Sequence, residues 1–252
     1  MAIKVMTFNL RYPCEGDGIN RFSCRAPRIA EAIRAAAPDL IGFQEADDES
    51  RAFLRSALAD EYLLLGGGRE PNCRGEGCPV AIRRSAFEVI GFRTEFLSDT
   101  PEIPGSRYAS SDQSLCPRLF VAASLLTADG KRLDFYNTHL DHVGREARLL
   151  GMRQILASVA AGSPPFVLTG DMNATPDSPE ARLPLALPGR SVADATAAIP
   201  HTFHDFGRRT APFKIDYIYT DLPYANTAAL PDIPEAGVFT SDHFAIVTEI
   251  TL

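Results

Sequence analysis

Short apolar runs alternate with amphipathic stretches along the whole chain, and most of the runs stop on a polar residue. Residues 3–10 predict a first strand, in which Val5-Met6-Thr7-Phe8 leads to Asn9. Residues 26–37 predict a helix with Ile29 and Ile33 on one face, closed by Pro38; residues 39–44 predict a second strand, followed by Glu45. Further strands are predicted over 80–83, 87–92, 119–126, 133–137, 166–169, 215–220 and 245–251. The clearest helix falls at 144–161, where Leu149, Met152, Leu156 and Val159 recur at spacings of three and four. Stretches 12–24, 66–79 and 98–117 are rich in Gly, Pro, Ser or charge and read as loops, and loops of this length are more often functional than filler.

No low-complexity linker, charge block or internal repeat breaks this alternation, so residues 1–252 are expected to form one α/β domain. Many strands with few helices suit two stacked sheets flanked by helices better than a parallel sheet with a helix after every strand. The 252 residues, 45% of them hydrophobic, can bury a substantial core. No run of 18 apolar residues exists to span a bilayer, so the expectation is a soluble chain without a membrane partner. Asn9 and Arg11 come too early for a signal peptide, which makes the cytoplasm the expected compartment. Five cysteines argue against a disulfide framework, and Cys73 and Cys78 lack the second matched pair of a structural zinc site. A net charge of -7 gives no bulk attraction to nucleic acid, so a phosphate-rich ligand must be drawn locally, by metal and arginines.

The candidate chemistry sits at strand ends. Asp171 and Asn173 follow the run Phe166-Val167-Leu168-Thr169 two residues apart, facing the same way in extended chain. Asp242 and His243 form a second polar pair. A carboxylate with a nearby amide, joined by an Asp-His pair, suits an oxygen-rich Mg²⁺ or Mn²⁺ site with a base beside it, and such sites serve phosphate ester chemistry. One polar strand end is usually a turn former or a satisfied hydrogen-bonding residue. Here Asn9, Glu45 and His139 end three further runs, and five such ends in one chain favour a shared site. Arg118, at the start of the 119–126 strand, is a candidate phosphate contact because a guanidinium can bind bidentately. His204 is a second substrate-binding candidate.

The motifs are Thr-Phe-Asn-Leu-Arg at 7–11, Gln-Glu at 44–45, Asn-Thr-His-Leu-Asp-His at 137–142, Gly-Asp-Met-Asn-Ala-Thr-Pro at 170–176, Ile-Asp-Tyr-Ile at 215–218 and Ser-Asp-His at 241–243. In this order they closely resemble the endonuclease/exonuclease/phosphatase superfamily of pancreatic deoxyribonuclease-like metal-dependent phosphohydrolases. Other motifs, such as Leu97-Ser98-Asp99-Thr100-Pro101, are similar to a bacterial branch of it. The resemblance implies a four-layer α/β/β/α sandwich of two mainly antiparallel mixed sheets. It implies Mg²⁺ or Mn²⁺ held by Glu45, Asn9 and Asp242. It also implies Asp171 and Asn173 as the pair that positions and deprotonates the attacking water. His139 and His243 would stabilise the phosphoryl oxygens, with Asp216 fixing the tautomer of His243. Whether His243 is a general base or a charged phosphate clamp stays open, with the clamp favoured and Asp171 as base.

The expected function is therefore a divalent-metal-dependent phosphodiesterase or phosphatase. The acidic balance and the lack of a basic stripe favour a small or exposed phosphoester. A DNA or RNA endonuclease or exonuclease is the alternative, with Arg74, Arg107 and Arg118 reaching the backbone from loops. A non-catalytic phosphate-binding protein on the same fold is the third reading, and it would show a missing ligand. None is missing here, and no obligate protein partner is evident.

Overall fold

The computed structural model describes residues Met1–Leu252. The chain begins with β1 (Ala2–Asn9), α1 (Phe22–Ala36), β2 (Leu40–Gln44), α2 (Asp48–Ala57), β3 (Tyr62–Leu65) and β4 (Val80–Arg83). It crosses over for β5 (Glu88–Phe96), β6 (Leu119–Leu126), β7 (Arg132–His139), α3 (Arg145–Ala161), β8 (Phe166–Asp171), α4 (Pro179–Arg182), β9 (Ala193–Asp194) and β10 (Asp216–Thr220). It returns for β11 (Tyr224–Ala229) and β12 (Ile246–Thr251). One six-stranded sheet runs β11-β12-β1-β2-β4-β3 and the other β5-β6-β7-β8-β10-β9. Only the pairs β1/β2 and β7/β8 are parallel. No helix is long and apolar enough to cross a membrane.

Strand alternation builds the layers. In β1, Ile3 and Val5 face the second sheet, while Met6 and Phe8 face α1 with its Phe22, Ala26, Ile29 and Ile33. In β7 and β8, Phe135 and Val167 face inward, while Tyr136, Phe166 and Leu168 pack on Met152, Ile155 and Val159 of α3. The result is helix, sheet, sheet, helix, as expected. The α1 helix ends where Ala37 turns left-handed at φ 46, ahead of Pro38. Asp47 caps α2 by accepting from the Ser50 N–H.

The space between the sheets changes character along the strands. Ile3, Val5, Leu40, Phe135, Val167 and Ile218 fill one end. One step further, Thr7, Gln44, Asn137 and Thr169 are buried. Asn137 on β7 donates to the Phe43 carbonyl of the facing sheet at 2.7 Å and to the Cys78 carbonyl just ahead of β4 at 3.1 Å. Its oxygen accepts from Gln44 Nε2 at 2.7 Å and Thr169 Oγ1 at 3.0 Å. This satisfied polar layer ties the sheets together just below the strand ends. It needs Gly42, because a Cβ there would run into Thr169 Oγ1 and Asn137 Oδ1. We expect Gly42→Ala to lower stability by about 3 kcal/mol through overpacking. Denaturant unfolding checks this, and an unchanged midpoint would show that the layer gives way without cost.

Candidate active site

The register of the second sheet sets the site. His139 pairs with Asp171 across β7/β8, and Asp171 pairs with Asp216 across β8/β10. All three continue the inward-facing rows of their strands, so they lie side by side at one level. Asn9 ends the inward row of β1, opposite Gln44, and Glu45 follows. Asp242 and His243 precede β12, held by Ser241 Oγ, which donates to the Asn9 carbonyl at 2.6 Å. Three residues at this end adopt left-handed backbone without being glycine: Arg11 at φ 55, Glu45 at φ 57 and Asn173 at φ 47. Such conformations cost energy and cluster where geometry serves function.

Asn9 Nδ2 bridges Glu45 Oε1 at 3.1 Å and Asp171 Oδ2 at 3.0 Å, while its oxygen accepts from the Arg11 N–H at 2.9 Å. The amide thus links the two carboxylates. The Tyr12 N–H donates to Glu45 Oε2 at 2.9 Å. Asp171 Oδ1 accepts from the Asn173 N–H at 2.8 Å. Asn173 Nδ2 donates to the Leu140 carbonyl at 3.0 Å and lies 2.8 Å from His139 Nε2. His243 Nδ1 meets Asp216 Oδ2 at 2.9 Å, and its Nε2 lies 3.8 Å from Asp171 Oδ2.

Electrostatics divides the two histidines. Burial and the nearby Arg118, Arg69 and His243 hold His139 well below its usual range, so it is neutral and accepts from Asn173. Burial opposes charge on His243 too, but the Asp216 carboxylate at Nδ1, with Asp242 and Asp171, lifts it to about 10. Burial and then Asp216 push Asp171 up to about 7. Burial also raises Asp242, with Glu45 adding to it, against His243 and Arg11.

Glu45, Asp171 and His243 offer ligand atoms all within 4.8 Å of one another. A protonated His243 is a poor ligand, so the carboxylates of Glu45, Asp171 and Asp242 are the better donors. Crowded, buried carboxylates with raised proton affinity carry uncompensated negative charge, and an oxygen-ligated cation such as Mg²⁺ fits that donor set.

These residues open onto a cavity of about 550 Å³, lined also by Arg11, Tyr12, Arg69, Glu76, Arg118, His142, Phe203 and Phe213. Arg118 lies on its wall. His204 does not line it. The His204 ring is buried against Phe244 and Phe239, its Nδ1 accepts from the Gly207 N–H, and its backbone N–H donates to the Asp242 carbonyl. Its place is behind the site, supporting Asp242. Asp216 likewise sits behind His243, outside the cavity lining.

Arg25 is a buried residue that pattern reading missed. Its guanidinium donates to the carbonyls of Leu10, Arg11, Asn20 and Thr240, binding together the segments that carry Asn9 and Asp242. The signal was its spacing, since it shares a face with Phe22, Ala26 and Ile29.

Comparison with known proteins places the sequence and the fold in a family. The sequence pattern of the Endonuclease/Exonuclease/phosphatase family matches residues 6–243. An endonuclease/exonuclease/phosphatase from Bacteroides vulgatus is 30% identical, with a TM-score of 0.92 over 100% of this chain and 99% of that one. A mannosyl-6-phosphatase from Bacteroides thetaiotaomicron is 24% identical, with a TM-score of 0.88 over 99% of this chain and 100% of that one. TDP2 of D. rerio, complexed with a single-strand DNA product, is 17% identical, with a TM-score of 0.77 over 100% of this chain and 99% of that one. No curated protein matches the chain in sequence.

Proposed function

The chain belongs to the endonuclease/exonuclease/phosphatase family of hydrolytic enzymes, and from that premise we propose that it is a divalent-metal-dependent phosphoesterase in which an activated water attacks phosphorus in line. The observation that carries this reading is the meeting of Glu45 and Asp171 with His243, their ligand atoms within 4.8 Å of one another, while Asp242 lies 3.9 Å from His243 Nε2 and Asp216 holds its Nδ1. That set pairs anionic donors for an ion with a cationic donor for a phosphoryl oxygen.

Glu45 and Asp242 would hold Mg²⁺ or Mn²⁺, with Asn9 fixing the spacing between Glu45 and Asp171. When bound, the ion would neutralise charge that builds on the phosphoryl oxygens. Asp171, whose proton affinity is raised by burial and by Asp216, is placed to take the proton of the attacking water. Asn173 has its Nδ2 committed to His139 and Leu140, which leaves its amide oxygen to orient that water. Charged His243 clamps a non-bridging oxygen, and the donor is pre-organised because Asp216 fixes its tautomer. Neutral His139 accepts from Asn173 at Nε2 and so steadies the amide that orients the water. Arg118 contacts the substrate from the cavity wall.

A cavity of about 550 Å³ and a net charge of -7 support a compact phosphoester over a long polymer. The Bacteroides thetaiotaomicron protein of similar fold is named a mannosyl-6-phosphatase, which accords with a small ester. The test is hydrolysis of p-nitrophenyl phosphate, bis(p-nitrophenyl) phosphate, sugar phosphates and labelled single- and double-stranded DNA and RNA, with Mg²⁺, Mn²⁺ or EDTA. We expect metal-dependent turnover of small esters that EDTA stops. Cleavage of nucleic acid alone would make the chain a nuclease, and no turnover with any metal would sink the enzymatic reading.

A further inference from the structure

Each arginine on the cavity wall is already matched by a carboxylate: Arg11 by Asp17 at 3.0 Å, Arg69 by Glu76 at 2.6 Å and Arg118 by Asp141 at 3.6 Å. A second anion on the substrate would have to displace one of these partners, leaving that charge unpaired in turn. What the wall offers instead is an acceptor. Glu76 Oε1 accepts from Arg69 Nη2, while Oε2 has no hydrogen-bond partner, and the side chain is 22% exposed on the cavity wall. Burial raises the proton affinity of Glu76 against the pull of Arg69, with Glu45 adding to it, as expected of a carboxylate short of donors.

The backbone fixes that acceptor close to the reaction. Gly77 exchanges hydrogen bonds with Ala46, the residue after Glu45, and the Arg69 N–H donates to the Glu76 carbonyl at 2.7 Å. The same cavity also has an apolar part, made by Phe203, Phe213 and Ile215. Phe203 is held by a backbone bridge to His243, with its ring centroid 4.9 Å from the His243 ring and 6.0 Å from the Phe213 ring. A carboxylate acceptor and fixed aromatic rings within one cavity suit a ligand ring that carries hydroxyls on its edge and C–H groups on its face. The water attack uses none of these groups.

Resting on the phosphoesterase reading, we propose that the alcohol part of the substrate is an uncharged, polyhydroxylated ring of monosaccharide type, and that Glu76 selects it by accepting from a ring hydroxyl. Phe203 and Phe213 pack against the face of that ring. Arg69 keeps Glu76 ionised and in place, so a hydroxyl on Oε2 makes the charge-assisted form of hydrogen bond. A ring without hydroxyls would bury Oε2 with no donor, and a ring bearing a carboxylate would meet Glu76 as a like charge.

The test ranks kcat/KM of the full chain with Mg²⁺ or Mn²⁺ over a matched set: the sugar esters glucose 1-phosphate, glucose 6-phosphate and mannose 6-phosphate, then glucuronate 1-phosphate, cyclohexyl phosphate and ethyl phosphate. Each is also offered as its methyl diester, so that a monoesterase and a diesterase are read alike. At least one sugar ester is expected to exceed both cyclohexyl and ethyl phosphate by about tenfold or more, and glucuronate 1-phosphate to fall below glucose 1-phosphate. In Glu76→Gln the sugar gain, with cyclohexyl phosphate divided out as the internal reference, should drop by about fivefold or more. The ratio of glucuronate 1-phosphate to glucose 1-phosphate should rise in the same variant, because Arg69 is released; a merely structural role for Glu76 would scale all esters together. The wild-type ranking decides alone if Glu76→Gln fails to fold. Sugar esters no better than cyclohexyl phosphate, glucuronate 1-phosphate equal to or above glucose 1-phosphate in the wild type, or a substitution that scales every ester equally overturns the inference. No turnover of any ester with either metal overturns the phosphoesterase reading with it, whereas turnover of cyclohexyl or ethyl phosphate without a sugar gain overturns the inference alone.

Discussion

Replacing Glu45 with alanine is expected to cut metal-dependent turnover by roughly 10³-fold or more, since it removes a charged donor from the point where phosphoryl charge must be stabilised. Glu45 accepts from Asn9 Nδ2 and the Tyr12 N–H and lies within 4.8 Å of the ligand atoms of Asp171 and His243. The fold should survive. Alanine at φ 57 is strained much as glutamate is, and deleting one of several crowded carboxylates relieves repulsion. We therefore expect the thermal midpoint to stay within a few degrees or rise, while calorimetric Mn²⁺ binding is lost. Retained metal-stimulated turnover in this variant would remove Glu45 from the site chemistry.

Asp216→Asn is expected to produce the second large loss, and one that depends on pH. In the wild type the Asp216 carboxylate lifts His243 from 6.5 to about 10, against burial, so the histidine is charged at neutral pH. Asparagine keeps a hydrogen-bonding group but not the charge, and burial then draws His243 downward. At pH 8 the clamp would be neutral, and kcat/KM should fall about 10²-fold, with a smaller deficit near pH 6. Stability carries the same sign. A folded-state pKa raised from 6.5 to about 10 gives a contribution fully present below about 6.5 that is lost as pH rises through about 10. Wild-type stability from this group therefore declines across that window, and in Asp216→Asn the decline should flatten. A pH–rate profile with its alkaline limb unmoved would deny Asp216 this role.

The site was legible because its residues interrupt strands. Asn9, His139, Asp171 and Asp216 lie where inward-facing rows turn from apolar to polar, and alternation alone places them on one side. The strand over 119–126 and the helix near 144–161 follow from periodicity and were found nearly to the residue. Other elements left weaker traces. The edge strand β11 is mostly exposed and reads Tyr-Ala-Asn-Thr-Ala-Ala, without apolar alternation. The helix α2 is short and polar, although Asp47 ahead of it was an available start signal. The helix α1 starts four residues earlier than its apolar pattern suggested, because Arg25 occupies a core position on its buried face. A charge bound to four carbonyls has no signature in hydropathy. The same holds for His204, whose apolar surroundings are assembled from distant segments. Arg69 and Glu76 escaped for another reason: both sit in the 66–79 loop, whose path over the cavity no local pattern encodes.

The most direct measurement of the central claim is anomalous scattering at the manganese edge from crystals of the full chain grown with Mn²⁺. The account predicts an ion coordinated by carboxylate oxygen of Glu45 together with Asp242 or Asp171, with His243 remaining on Asp216 rather than turning to the metal. An ion bound elsewhere in an active crystal, or no ion at this end of the sheets under conditions that support turnover, would contradict it.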